Sequence, residues 1–212
     1  WMDIERERGI SVTSAAVEFD LGGHHLTLLD TPGHKDFSED TYRTLFAVDG
    51  VVMVIDAAKG IESQTRKLFE VCKLRRLPVL TFINKLDLPS RDPFDLLDEI
   101  ERVLGIHSVP MNWPIGSGDR FRGVYDLQKG LVHLYDRKER AHPAPVNVGA
   151  VDDPRLKELV GEDAWKTLVD ESSLVTGAGT SFDHAAYLDF QLTPVFFGSA
   201  LSNFGLEPFL YA

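Results

Sequence analysis

An α/β fold, a doubly wound and mostly parallel sheet, is predicted by three features of the 212-residue sequence. Apolar runs at residues 51–55, 79–83 and 194–197 lack the strict alternation of a half-exposed strand and read as strands covered on both faces. Helical patterns lie between them, so strand and helix alternate as in a crossover-connected sheet. Each run also closes in a polar cluster, and in an open parallel sheet ligands bind where the carboxyl ends of strands meet their loops.

Taken in order, residues 12–19 and 26–29 read as strands joined by Gly22-Gly23, a dipeptide suited to a tight hairpin turn, with His24 and His25 at its exposed tip. Helical patterns cover 37–48, 63–75 and 93–104, the last with Asp92 as N-cap and Pro93 at the first helical position. Residues 105–191 break the rhythm and read as an α+β insertion before the last strand, packed on the sheet edge. This stretch holds Trp113-Pro114-Ile115-Gly116, a hairpin over 123–135, a proline-bearing loop over 141–145 and helices near 154–174 and 181–188. A final helix begins near Asn203. The opening residues 1–11 are charged and loop-like, so the sheet is expected to be incomplete at its N-terminus and the chain to be a piece of a longer domain.

Composition narrows the function. The 22 Lys and Arg against 33 Asp and Glu give a formal charge of −11, which excludes a diffuse electrostatic hold on nucleic acid and argues against a DNA partner. A single cysteine, Cys72, on a helix face, excludes a disulfide framework and reads as a buried, inert thiol in a reducing cytoplasm. No apolar run reaches the roughly 20 residues that span a bilayer, so no membrane partner is expected.

The chemistry concentrates at the strand ends. Residues 26–29 run into Asp30-Thr31-Pro32-Gly33-His34, 51–55 into Asp56-Ala57-Ala58-Lys59-Gly60, 79–83 into Asn84-Lys85-Leu86-Asp87, and 194–197 into Gly198-Ser199-Ala200-Leu201. A carboxylate closing a strand, as Asp30 does, suits a hydrated magnesium ion, and the Gly33 amide can approach a terminal phosphate unobstructed. Asn84-Lys85-x-Asp87 suits a purine: a carboxylate accepts from the N1–H and exocyclic amine of guanine, donors that adenine does not offer there. On this reading the Lys85 stem lies along the ring, Asn84 ties neighbouring loops, and the Ala200 amide reaches the guanine oxygen. His34 sits where a side chain can orient water toward the terminal phosphate. Taken singly, each motif also has a bland reading, as a β-turn or a chance tetrapeptide. Their order on successive strand ends is what argues for one composite site.

These residues resemble the translational GTPases, a family with the P-loop GTPase fold. Arg8-Gly9-Ile10-Ser11 is similar to the first switch, Asp30 to His34 to the second, Asn84 to Asp87 to the base-reading motif and Gly198 to Leu201 to the last, weak motif. Within the family, residues 34–45 together with Trp113-Pro114-Ile115-Gly116 and Gly123-Val124-Tyr125 resemble the bacterial peptide chain release factor three branch more than the translocating elongation factors.

The resemblance implies a cytoplasmic, ribosome-dependent GTPase that uses GTP, GDP and Mg2+. Its activator would be large-subunit RNA, and it would act indirectly on the decoding release factors. It implies further that Ser11 and Asp30 ligate magnesium, that His34 is catalytic, and that Ile10 belongs to an apolar gate beside it. Nucleotide contacts would come from Asp30, Thr31, Pro32, Gly33, His34, Asn84, Lys85, Leu86, Asp87, Ser199, Ala200 and Leu201. The phosphate-cradling pattern G-x-x-x-x-G-K-[ST] is absent from these 212 residues, so alone they are expected to bind nucleotide feebly and to be inactive. Two alternatives share most of these features: a truncated or degenerate domain that serves as a binding module, and a translocase-type elongation factor.

Overall fold

The computed structural model describes residues 15–31, 38–135, 146–177 and 181–211. Expectations for Ile10, Ser11, Pro32, Gly33, His34 and the 141–145 loop lie outside the described residues.

β1 (Ala15–Leu21) and β2 (His24–Asp30) pair antiparallel from Ala15↔Asp30 to Leu21↔His24. Gly22 and Gly23, at φ +59 and +84, supply the two left-handed residues that a type I′ turn demands. Among the described residues this hairpin forms a sheet of its own and shares no pairing with the central one.

α1 (Ser38–Leu45) leads to β3 (Val51–Asp56), α2 (Ser63–Arg75), β4 (Val79–Asn84), α3 (Pro93–Leu104) and β5 (His107–Pro110). β10 (Leu192–Phe197) completes a central sheet of order β3-β4-β10-β5, parallel throughout. The Asp92 carboxylate accepts from the Phe94 amide at 2.8 Å, Pro93 opens α3, and Gly105 closes it at φ +68, so that helix is bounded by its own sequence. A second, antiparallel sheet is made by β6 (Asn112–Ile115), β7 (Gly123–Asp126), β8 (Leu131–Leu134) and β9 (Val146–Val148). α4 (Pro154–Val160), α5 (Glu162–Gly177) and α6 (His184–Leu188) precede β10, and α7 (Leu206–Leu210) follows it.

Helices cover one face of the central sheet, and the other face over β4, β10 and β5. On one, Ile55, Phe69, Ile83, Ile100, Val195 and Phe197 join the main core; on the other, Phe82, Val109 and Phe196 pack against Tyr187, Leu206 and Phe209. The sandwich holds the sheet rigid, which is what a site on its rim requires.

Several expected elements differ in detail. Residues 51–55 are not covered on both faces: Val52 and Val54 are 41% and 55% exposed, because β3 ends the sheet order and no described helix packs on that side. The helix expected over 37–48 ends at Leu45. The single helix expected over 154–174 is two, broken at Gly161, whose φ of +89 no helix accommodates. Within 105–191, β5 belongs to the central sheet, alongside β10 from His107↔Leu192 to Pro110↔Val195, whereas β6 to β9 form the separate one. No helix among the described residues is long and apolar enough to cross a membrane.

Candidate functional site

The carboxyl ends of β3, β4 and β10 lie side by side, with Asp56 opposite Asn84 and Ile83 opposite Phe197. Asn84 joins two of the loops that leave this rim. Its Oδ1 accepts from the Lys85 amide at 2.8 Å and from the Ala200 amide, 116 residues away in sequence, also at 2.8 Å. Lys85 takes a left-handed conformation, φ +70, which turns the chain sharply off the strand. Beyond it the Leu86 amide donates to the Gly198 carbonyl at 3.2 Å, and the Gly118 amide donates to the Leu86 carbonyl at 2.8 Å. Leu86 is fully buried and anchors the loop in the core.

Asp56 closes the cluster on the β3 side. Its Oδ2 accepts from Lys85 Nζ at 2.9 Å, and its Oδ1 accepts from the amides of Ala58 and Lys59 at 2.9 and 3.3 Å. Partial burial pushes this carboxyl upward, but the Lys85 hydrogen bond and charge and the two amides prevail and hold it below the usual aspartate range. The opposite wall is the turn after β10. Ser199 is buried, its amide donates to the Phe204 carbonyl at 2.8 Å, and the Phe204 amide returns to the Ser199 carbonyl at 3.0 Å. Leu201 projects outward from this turn.

Asp87 is the unsatisfied member. Its Oδ1 is sealed from solvent and has no hydrogen-bond partner among the described residues. A carboxylate oxygen is acceptor-only, and one that is buried without a donor incurs a desolvation cost of about 1–3 kcal/mol or more. Asp87 as a residue is only half-buried, so a ligand edge carrying two adjacent N–H groups can meet its carboxylate at the rim and offset that cost. The chemistry of this donor-hungry atom fits the N1–H and amine edge of guanine, and an adenine edge leaves the cost in place.

Of the residues predicted from sequence, the structure gathers Asn84, Lys85, Leu86, Asp87, Ser199, Ala200 and Leu201 along this rim. The loop-tying role of Asn84 is observed directly, and it engages the Ala200 amide that was expected to face the guanine oxygen. Asp30 and Thr31 lie at the end of β2, in the hairpin, and are not joined by strand pairing to the Asn84 cluster. Sequence reasoning gave no role to two residues that shape the rim. Asp56 holds Lys85, and Asn112, fully buried, clamps the end of β10 by accepting from the Phe197 amide at 2.7 Å and donating to its carbonyl at 3.1 Å. Nothing in the sequence marked Asn112 beyond an asparagine beside an apolar strand.

A parallel, helix-packed sheet with its loops gathered at the carboxyl rim defines a doubly wound α/β domain. The family model for the elongation factor Tu GTP binding domain matches residues 1–212, and the chain belongs to that family. Relatives named peptide chain release factor 3 are similar over essentially the whole chain. That of Synechocystis sp. is 56% identical over 214 residues, covering 100% of this chain and 39% of the relative. That of Cyanothece sp. is 54% identical over 216 residues, covering 100% and 39%, and that of Symbiobacterium thermophilum 53% over 211 residues, covering 99% and 40%. The chain therefore spans about two fifths of the length of these relatives. A crystal structure from Thermus thermophilus superposes with a TM-score of 0.74 over 100% of this chain and 33% of its own, at 21% identity, which bears on the fold alone.

Proposed function

We propose that this chain is the GTP-binding part of a ribosome-dependent GTPase of translation termination, which promotes the release and recycling of the decoding release factors. The observation that carries the guanine specificity is the buried, donor-less Asp87 oxygen on a rim where Asn84 couples the β4 and β10 loops. The termination role rests on the similarity to proteins named peptide chain release factor 3. The Lys85 stem would lie along the base, and the tie between Asn84 and Ala200 keeps the base loops in place before nucleotide arrives, so that little ordering is left to do on binding.

Ser11 and Asp30 would hold a magnesium ion beside the phosphates, where it would supply charge neutralisation. Thr31, Pro32 and Gly33 would line the terminal phosphate, and His34 would orient the attacking water once large-subunit RNA positions the loop. The 212 residues lack the phosphate-cradling glycine and lysine pattern, so by themselves they hydrolyse GTP negligibly.

The test uses the complete natural protein that contains this sequence, with purified ribosomes. His34→Ala retains GTP binding and lowers ribosome-stimulated hydrolysis by about a hundredfold, the order typical for loss of a positioned proton-transfer or water-orienting group. Unimpaired turnover would refute the role of His34. Recycling of decoding release factors, measured against translocation, decides the ribosomal event: acceleration of translocation alone would assign the protein to the elongation branch.

A further inference from the structure

Charge is distributed most unevenly at α2. Between Ser63 and Arg75 four basic residues, Arg66, Lys67, Lys73 and Arg75, accompany one acidic residue, Glu70, leaving 18 of the 22 basic and 32 of the 33 acidic residues elsewhere. The helix buries Phe69 and Cys72, so Arg66, Lys67, Glu70, Lys73 and Leu74 lie on its outward side, three cations around one carboxylate, and Leu74 is 85% exposed. A chain this acidic has carboxylates available for its cations and elsewhere pairs many of them, as in Lys85 with Asp56, Arg91 with Glu99 and Lys166 with Glu162. Next to the face, Arg75 is occupied by the Leu45 carbonyl and the Phe46 ring, and Arg76 by Asp189. Arg66, Lys67 and Lys73 form no ion pair among the described residues, with Glu70 or with any other carboxylate.

We propose that the outward face of α2 docks on the phosphate backbone of a structured RNA. This rests on the ribosomal reading above and names the surface that reading leaves open. Arg66 and Lys73 are seven residues apart, about 10 Å along the helix axis. A nucleic acid duplex carries a charge roughly every 1.7 Å of its axis, so one rigid helical face meets several phosphates without having to order a flexible partner. Arg66 brings a planar guanidinium suited to bidentate phosphate contact. The acidic remainder repels a polyanion, so approach to RNA is oriented through this face.

The experiment measures the salt dependence of binding of the complete natural protein to two probes, intact ribosomes and deproteinised large-subunit RNA. The test variant is Arg66→Gln/Lys67→Gln/Lys73→Gln, in which glutamine preserves helix propensity and circular dichroism verifies the fold. The comparison variant is Arg120→Gln/Arg122→Gln, at two cations that also lack an ion pair among the described residues. On both probes the triple variant is expected to flatten the slope of log affinity against log salt by about two to three, and to weaken binding at least tenfold near 0.1 M salt. The comparison variant is expected to keep the wild-type slope. Wild-type slope and affinity in the triple variant would overturn the proposal and leave the ribosomal reading standing. A loss confined to intact ribosomes would assign the face to an acidic protein, and an equal loss in both variants would show diffuse binding; either overturns it. Failure of the wild type to bind either probe would remove the ribosomal reading together with this surface.

Discussion

Tyr135 and Asp56 are tuned by their surroundings in opposite directions. The Tyr135 hydroxyl accepts from the Gly205 amide at 2.9 Å while its ring stacks on Phe204, with centroids 4.5 Å apart. Burial pushes the phenol up to about 12, against an ordinary value near 10. The folded state therefore keeps this proton more tightly than the unfolded chain does, and the corresponding stability is complete below about pH 10 and is lost as pH rises toward 12. Urea titrations are expected to show stability falling across that window. Tyr135→Phe should flatten the fall while costing roughly 1 kcal/mol at neutral pH, because the Gly205 amide loses its acceptor. An unchanged alkaline profile in the variant would contradict this. Asp56 works the other way: its lowered carboxyl adds stability above the unfolded value near 3.8 and loses it as pH falls below that. The tie made by Asn84 was legible at this scale because its side chain carries the acceptor that the Lys85 and Ala200 amides use. Asn112 was not, since it satisfies the Phe197 backbone 85 residues away, and a backbone need that distant leaves no local mark in a sequence.

Elements were legible where the sequence punctuates them. The bounds of α3 follow from Asp92, Pro93 and Gly105, and α2 ends at Arg76, in a left-handed conformation, before Pro78. Where punctuation acts through a backbone angle, the sequence misled: Gly161 divides α4 from α5, and Gly205, at φ +75, delays α7 to Leu206. The four-residue β5 was missed because it is short, ends in Pro110 and lacks a long apolar run. The turn after β10 depends on Gly198 having no side chain, since a Cβ there would meet the Phe204 carbonyl and the Phe82 ring edge. Gly198→Ala is therefore expected to destabilise the protein by about 1–3 kcal/mol through forced shifts in a packed region. Chemical denaturation measures it, and a loss under about 0.5 kcal/mol, the level of an ordinary surface change, would show that the turn relaxes freely.

Across the whole molecule, what the sequence could not disclose is strand order. β10 enters between β4 and β5, and the buried Thr81 and Thr193 hydroxyls meet at 2.8 Å across 112 residues of sequence. That insertion brings Ala200 to Asn84, so the rim proposed to hold the base is a consequence of topology, assembled from two distant loops and legible beforehand only as separate motifs. The second sheet is tied to the same rim through Asn112 and through the Gly118 amide on the Leu86 carbonyl. The most direct measurement of the central claim, that this rim reads guanine through Asp87, is nucleotide affinity of the complete natural protein for GDP, ADP and XDP before and after Asp87→Asn. The wild type is expected to prefer GDP. The variant is expected to lose about a hundredfold in GDP affinity, the worth of one or two charge-assisted hydrogen bonds, while gaining XDP, whose carbonyl accepts from the new amide. An unchanged base preference in the variant would contradict the claim.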